Sequence, residues 1–220
     1  MEETMRATII AGGKADPYTD WQRWVRQGDL VLGADGGAAQ ALAWGLEPQV
    51  VIGDMDSLPE PERASLAARG CRFVVHPRAK DETDLELALG YAAGQGAEDI
   101  VILGALGGRL DHTLANVLLL ALPVLDGLQV RIAAGQQEAF LVRSGESLAL
   151  EGNAGDLVSL LPLGGDARGV TTVGLAWALR DDTLYFGSSR GVSNEMTAAT
   201  ARIEVEEGHL LVIHAPPLAD

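Results

Sequence analysis

A chain of 220 residues with 47% hydrophobic side chains has the length of one large or two small domains and ample material for a core. Its formal net charge of −15 argues against nucleic acid and against an anionic membrane as partners, since both need a basic surface. Any phosphate chemistry on so acidic a protein calls for a metal cation between the charges.

The N-terminal half alternates apolar runs with helix-like segments. Strands are expected at Ala7–Ala11, Leu30–Gly33, Val50–Ile52, Arg72–Val75, Ile100–Leu103 and Gln129–Ala133. Helices are expected at Asp20–Arg26, Ala38–Trp44, Glu60–Arg69, Leu85–Ala93 and Leu114–Leu122, the last stopped by Pro123. Thr83, with Glu86 three residues on, has the spacing of a capping box. Near-continuous apolar strands between helices indicate an α/β domain with a mostly parallel sheet covered by helices on both faces. From about Gln136 the helical period fades. Short alternating runs take over at Ala139–Val142, Ser147–Leu150, Leu157–Leu161, Val170–Val173, Leu184–Phe186, Ala201–Val205 and Leu210–His214. They read as a C-terminal antiparallel β-sandwich, so domains 1–135 and 136–220 are expected. Cys71, the single cysteine, excludes an intrachain disulfide and reads as a small core residue. The run Ala7–Ala11 is too short for a signal peptide and no stretch reaches membrane-spanning length, so the cytoplasm is the expected compartment.

Doubly wound sheets bind ligands at the carboxyl ends of their strands, and the acidic residues fall there. Asp35 follows the second strand, Asp54 and Asp56 the third, Asp81 and Asp84 the fourth, and Asp111 the fifth. Unpaired carboxylates in one crevice repel, and oxygen-only ligands suit Mg²⁺ or Mn²⁺. Each residue taken singly also reads as a turn former or helix cap. The fifth strand runs into GALGGRLDHTLAN, Gly104 to Asn116, and then into an expected buried helix, Leu114 to Leu120. Gly104, Gly107 and Gly108 turn the chain and let backbone approach a ligand. Arg109 offers a planar fork for phosphate oxygens, and Asp111, near a helix start, can orient a hydroxyl or a metal.

Six motifs carry a family resemblance: ADGGA (34–38), GDMDS (53–57), KDETDLE (80–86), GALGGRLDHTLAN, Gly174-Leu-Ala-Trp177 and Gly191-Val-Ser-Asn-Glu195. They stand in the order found in thiamine pyrophosphokinases, and the chain resembles that family over almost its whole length. The resemblance implies an α/β catalytic domain, a β-sandwich that binds thiamine, and a homodimer with active sites shared between subunits. It implies transfer of the pyrophosphoryl group of ATP to thiamine, giving thiamine diphosphate and AMP, with Mg²⁺. By the same resemblance Asp54, Asp56 and Asp84 are metal-binding carboxylates, with Asp81 acting through water. Asp35, Gly36, Gly37 and Gly107 receive nucleotide, and Thr83 and Arg109 touch phosphates. Asp111 holds the thiamine hydroxyl for attack on the β-phosphorus, and Ser193 and Asn194 line the thiamine pocket in the partner's site. A short boundary near residue 136 leaves little slack for folding back, which favours the partner's β domain as the cover.

Other readings stay open on the residues alone. A pyrophosphokinase for another heteroaromatic alcohol, such as a hydroxymethylpterin, would keep the acidic crevice. Asp54-x-Asp56 also resembles the metal motif of nucleotide-sugar glycosyltransferases, and a non-catalytic thiamine or nucleotide sensor could use the same fold. His112 is expected to be structural; His76, His209 and His214 have no ligand partners by spacing. Gly12-Gly-Lys14 lacks the rest of a phosphate loop, so Lys14 is expected to be exposed. Trp177 reads as an amphipathic core residue, which leaves no aromatic to cover the acceptor ring; Met196 follows the Ser-Asn-Glu run where one is expected.

Overall fold

Residues 4–13 and 21–217 are described by the computed structural model. The expectations for Lys14 and Asp20 lie outside the described residues. The chain divides into two compact units, Met1–Gly135 and Gln136–Asp220.

In the first unit six strands form one sheet: β1 (Arg6–Ile10), β2 (Leu30–Ala34), β3 (Val50–Gly53), β4 (Arg72–Val75), β5 (Asp99–Leu103) and β6 (Gln129–Ala134). Their order is β6-β5-β1-β2-β3-β4 and every neighbouring pair is parallel. Between them run α1 (Gly37–Ala43), α2 (Glu60–Ala68), α3 (Asp84–Gly94) and α4 (Leu110–Leu118). Successive strand side chains point to opposite faces. Val51 packs with Ala38 of α1 and Leu66 of α2, whereas Ile52 shares an apolar groove with Leu87 and Tyr91 of α3. Helices therefore cover both faces. That is why the strands read as unbroken apolar runs, with Ile9, Ile10, Val51 and Ile52 fully buried. Thr83 caps α3 by accepting from the Glu86 N–H at 3.2 Å, as its spacing predicts.

Three elements differ from expectation. The Asp20–Arg26 helix is a single 3₁₀ turn at Trp21–Arg23. Its apolar spacing comes from tryptophans that pack one by one: Trp21 stacks on Trp44 at 6.5 Å, and the Trp24 indole donates to the Gly135 carbonyl at 3.1 Å. The helix after the glycine loop starts at Leu110 rather than Leu114 and breaks into 3₁₀ turns at Leu119–Ala121 and Pro123–Leu125. Nor is it buried. Asn116 is the one buried residue of α4, while Leu110, Leu114 and Leu118 are 71%, 56% and 55% exposed. Periodicity says which residues share a helix face but not whether that face looks inward. Cys71 is half-buried at the edge of the Val51 cluster, not within it, and burial pushes its thiol up.

At the amino end of the sheet, Arg6 is held by Asp29 at 2.7 Å and Asp99 at 2.9 Å, and Asp29 also accepts from the Thr8 hydroxyl and the Arg26 N–H. The Arg6 and Asp29 side chains are only 10% and 2% exposed. Removing one partner strands a buried charge. Arg6→Ala is therefore expected to destabilise the protein by about 3 kcal/mol, read from its denaturant midpoint.

The second unit is built from β7 (Gln137–Val142), β8 (Ser147–Glu151), β9 (Leu157–Pro162), β10 (Ala167–Val173), β11 (Asp182–Leu184), β12 (Asn194–Glu195), β13 (Thr200–Glu204) and β14 (Leu210–Ala215). Two antiparallel sheets, β12-β9-β14-β7 and β11-β10-β13-β8, face each other. A shared core lies between them, with Val158, Leu160 and Val212 from one sheet against Leu150, Val170 and Ile203 from the other. The expected strand Leu184–Phe186 ends at Leu184, which is buried, and leaves Tyr185 and Phe186 more than 60% exposed. No helix among the described residues is long and apolar enough to cross a membrane.

Candidate active site

The chain runs outward from β1 to β4, then returns to β5 on the other side of β1. Connections beyond the carboxyl ends of β1 and β5 therefore diverge and leave a crevice at this switch point. Its volume is about 570 Å³, and its lining includes Gly12 and Gly13 after β1, Asp35 and Gly36 after β2, Asp54 after β3, and Ala105, Gly107 and Arg109 after β5.

Carboxylates converge there. Oxygens of Asp35, Asp54 and Asp56 all lie within 4.8 Å of one another. Asp35 is 7% exposed with a φ of 42°, and its Oδ1 has no hydrogen-bond partner among the described residues. An unpartnered buried carboxylate oxygen is costly, and a cation would relieve it. An oxygen-only set fits Mg²⁺ or Mn²⁺. Gly53 makes the approach possible. Its φ is 149°, and a Cβ there would lie 2.8 Å from the Asp35 Cβ and 3.0 Å from the Asp84 carboxylate. Asp84 thus stands beside Asp35, but it is paired with Lys80 at 2.7 Å. The family resemblance put Asp35 with nucleotide and Asp84 with metal; the geometry groups Asp35 with Asp54 and Asp56, within the set of strand-end carboxylates that the sequence brought to one crevice. Asp81 is exposed, outside both the carboxylate group and the crevice lining. Gly37 does not line the crevice either; it starts α1 so close to β1 that a Cβ would lie 1.8 Å from the Ile10 carbonyl oxygen.

The glycine loop supplies a cation and an anion. Two bonds tie it to α4: a buried one, in which Asn116 Nδ2 donates to the Ala105 carbonyl at 2.7 Å, and an exposed one, in which the Gly107 N–H donates to Thr113 Oγ1 at 3.2 Å. Arg109 donates from Nε to Asp111 Oδ1 at 3.0 Å and from Nη2 to Oδ2, and the His112 N–H donates to the same carboxylate at 2.9 Å. The Arg109 hydrogen bonds, then that of His112, hold Asp111 down at about 2. Such a carboxylate orients a hydroxyl by accepting its hydrogen bond but is too weak a base to take the proton at neutral pH. Thr83 lines the crevice; its oxygen accepts from Glu86, which leaves its proton to donate to a ligand. His112 is exposed at the lining, and its ring makes no described hydrogen bond.

Two lining cations escaped the sequence reading: Arg78, 3.6 Å from Asp56, and Lys80. The signal was available. His76-Pro-Arg-Ala-Lys80 puts two bases directly before the acidic KDETD run in a chain with few bases.

In the second unit, Ser193 is exposed at φ 59°, and its N–H donates to Ser159 Oγ at 3.1 Å. Asn194 is buried, and its amide is committed. Oδ1 accepts the N–H groups of Trp177 and Glu195, and Nδ2 donates to the Trp177 carbonyl at 2.8 Å. The described bonds of the Asn194 side chain thus run to the backbone of Trp177 and Glu195. Trp177 is not a core residue but is 61% exposed. Asn194 holds its backbone while Leu175 and Leu179 on either side fill the core, so the indole faces outward.

A doubly wound unit whose switch-point crevice gathers carboxylates, an arginine and glycine turns, followed by an antiparallel sandwich, defines a class of α/β phosphotransferases with an appended β unit. The chain belongs to the thiamin pyrophosphokinase family: residues 21–132 match its catalytic domain and residues 147–210 its vitamin B1 binding domain. Thiamine pyrophosphokinase of Bacillus subtilis (strain 168) is 29% identical over 207 residues, covering 94% of this chain and 97% of that protein. Thiamine pyrophosphokinase 1 of Oryza sativa subsp. japonica is 28% identical over 71% of this chain and 62% of that protein. The crystal structure of the Bacillus subtilis enzyme superposes with a TM-score of 0.85 at 28% identity, covering 97% of this chain and all of that one. That of a Geobacillus thermodenitrificans thiamin pyrophosphokinase gives 0.82 at 26% identity, with 98% of each chain covered.

Proposed function

We propose that this protein transfers the pyrophosphoryl group of ATP to the hydroxyl of thiamine, giving thiamine diphosphate and AMP, in a Mg²⁺-dependent reaction in the cytoplasm. The observation that carries the reading is the group of Asp35, Asp54 and Asp56 oxygens, of which Asp35 and Asp54 line the switch-point crevice together with Arg109. Those three carboxylates would hold Mg²⁺ (or Mn²⁺), with Asp84 adjacent and Asp81 acting through water. The ion would neutralise charge on the phosphate oxygens.

The chain's own residues do the rest. Arg109, freed from Asp111, together with Arg78, Lys80 and the Thr83 hydroxyl, binds phosphate oxygens. Asp111 accepts a hydrogen bond from the thiamine hydroxyl and aims its oxygen at the β-phosphorus. The new O–P bond forms as the bond between the β-phosphorus and the α–β bridging oxygen breaks; AMP leaves with that oxygen, and the hydroxyl proton passes to solvent water. Positioning and charge neutralisation suffice, and no covalent enzyme intermediate is required. Trp177 serves as the platform for the acceptor: thiamine carries a quaternary nitrogen in an aromatic ring, and an exposed indole attracts it through both stacking and cation–π forces. Release of AMP, followed with thiamine, with a hydroxymethylpterin and with no acceptor, tests the reading. Release with the pterin but not with thiamine would overturn it.

We further propose a homodimer with two shared sites, in which Ser193 and Trp177 serve the partner's crevice. The exposed stripe of Leu110, Leu114 and Leu118 supports a second copy as its cover, because a two-fold contact buries one such patch against its mate. An Asp54→Asn chain mixed with a Trp177→Ala chain is then expected to regain roughly a quarter of wild-type activity at low thiamine, since half the dimers carry one intact site. An active monomer in sedimentation, or no rescue from verified heterodimers, would rule this out.

A further inference from the structure

The second unit holds a buried acid–base cluster that this reaction does not use. His214 on β14 is 5% exposed and pairs across the sheet with Glu138 of β7 and Val158 of β9. Its Nε2 lies 3.0 Å from Asp156 Oδ2 and its Nδ1 3.7 Å from Glu138 Oε2. Glu138 first and Asp156 second hold the imidazole above its ordinary value, against the desolvation that pulls it down. The other groups against the ring, Val158, Gly152 and the neighbouring Met196, carry no charge.

Hydrogen bonds lead from this cluster to Trp177. Asp156 Oδ2 also accepts from the Asn153 N–H at 2.8 Å, and the Asp156 carbonyl accepts from the Met196 N–H at 2.8 Å. The Gly155 N–H donates to the Met196 carbonyl at 2.8 Å. Met196 directly follows β12, whose Asn194 clamps both backbone groups of Trp177 and whose Glu195 carbonyl accepts from the Ala176 N–H at 2.9 Å. Gly152 gives the pair room to close: a Cβ there would lie 2.6 Å from Asp156 Oδ2 and 2.8 Å from His214 Nε2.

We propose that His214 is a positioning residue for the acceptor, bracing the Asn194–Met196 segment through Asp156 and so coupling the placement of the Trp177 indole to its own protonation. This rests on the reading of Trp177 as the acceptor platform. The folded value of His214 is raised from 6.5, so the charged brace is complete below pH 6.5 and is lost as pH rises through the folded value.

The test measures kcat and the KM values for thiamine and ATP on the full-length enzyme from neutral to alkaline pH. In the wild type, KM for thiamine should rise several-fold across the transition while KM for ATP stays level. His214→Gln, which cannot titrate, should show a raised and pH-independent KM for thiamine. Asp156→Asn, which removes one carboxylate from the cation, should move the transition to lower pH; it decides the matter if His214→Gln does not fold. Gly152→Ala should raise KM for thiamine at every pH. Wild-type pH dependence in His214→Gln, or KM for ATP moving in step with that for thiamine, would overturn the proposal. Trp177→Ala separates the two readings. If it leaves KM for thiamine unchanged, the platform falls and the brace with it. If it raises KM while His214→Gln and Asp156→Asn match the wild type, only the brace falls.

Discussion

Asp54→Asn is expected to lower kcat on the order of 10³-fold or more, the scale of a lost metal-borne contribution to transition-state charge, while the protein still folds. Asp54 lines the crevice, its Oδ1 accepts from the Asp56 N–H at 3.1 Å, and its carboxylate sits in the group with Asp35 and Asp56. Three carboxylates so close repel when no cation is present. The amide should therefore leave the melting temperature of the metal-free protein unchanged or raise it, and abolish the additional rise that Mg²⁺ gives the wild type. Thermal melts with and without Mg²⁺, beside AMP release, check both halves. Full wild-type activity after exhaustive EDTA treatment would sink the metal reading.

For Arg109→Ala we expect a loss of about 10²-fold or more in kcat/KM, because the side chain supplies a preorganised fork of donors for phosphate. A second effect follows from its pairing. Arg109 is the main reason Asp111 lies at about 2, so in Arg109→Ala that carboxylate should return toward its ordinary 3.8. The active form of Asp111 is the anion, whose population is lost as pH falls through its folded pKa. The acid limb of the kcat/KM profile, which reports the free enzyme where the pair is intact, should accordingly move upward in Arg109→Ala. Asp111→Asn should lower kcat more than it raises KM for ATP, since the partner of Asp111 is the acceptor hydroxyl. Near-wild-type kcat in both variants would make the loop purely structural.

Much of the site was legible because its residues sit where strand periodicity ends. The apolar runs before Asp35, Asp54 and Gly104 are buried strands of one parallel sheet, and carboxyl ends of adjacent parallel strands must share an edge. The Thr83 cap and the position of Asp111 in the first turn of α4 are local chemistry, readable within four residues. Arg78 and Lys80 were legible only as two bases beside an acidic run; that they line the crevice depends on where the segment after β4 folds.

What the sequence determined by itself was the set of elements: a parallel α/β unit where apolar runs alternate with helices, and an antiparallel sandwich where the period falls to two. Tertiary structure alone decided the rest. Of the carboxylates that the sequence brings to one crevice, Asp35, Asp54 and Asp56 are the ones that close up, because β2 and β3 are neighbours and Gly53 has no Cβ to hold their ends apart. The leucines of α4 face outward, and Trp177 is lifted off the core by Asn194, although their spacing and apolarity resemble those of buried residues. His214 finds Asp156 and Glu138 from 58 and 76 residues away, a meeting that no local pattern announces. Periodicity is a property of a few consecutive residues, whereas burial and the pairing of charges depend on strand order and packing, which are set by contacts distant in the chain.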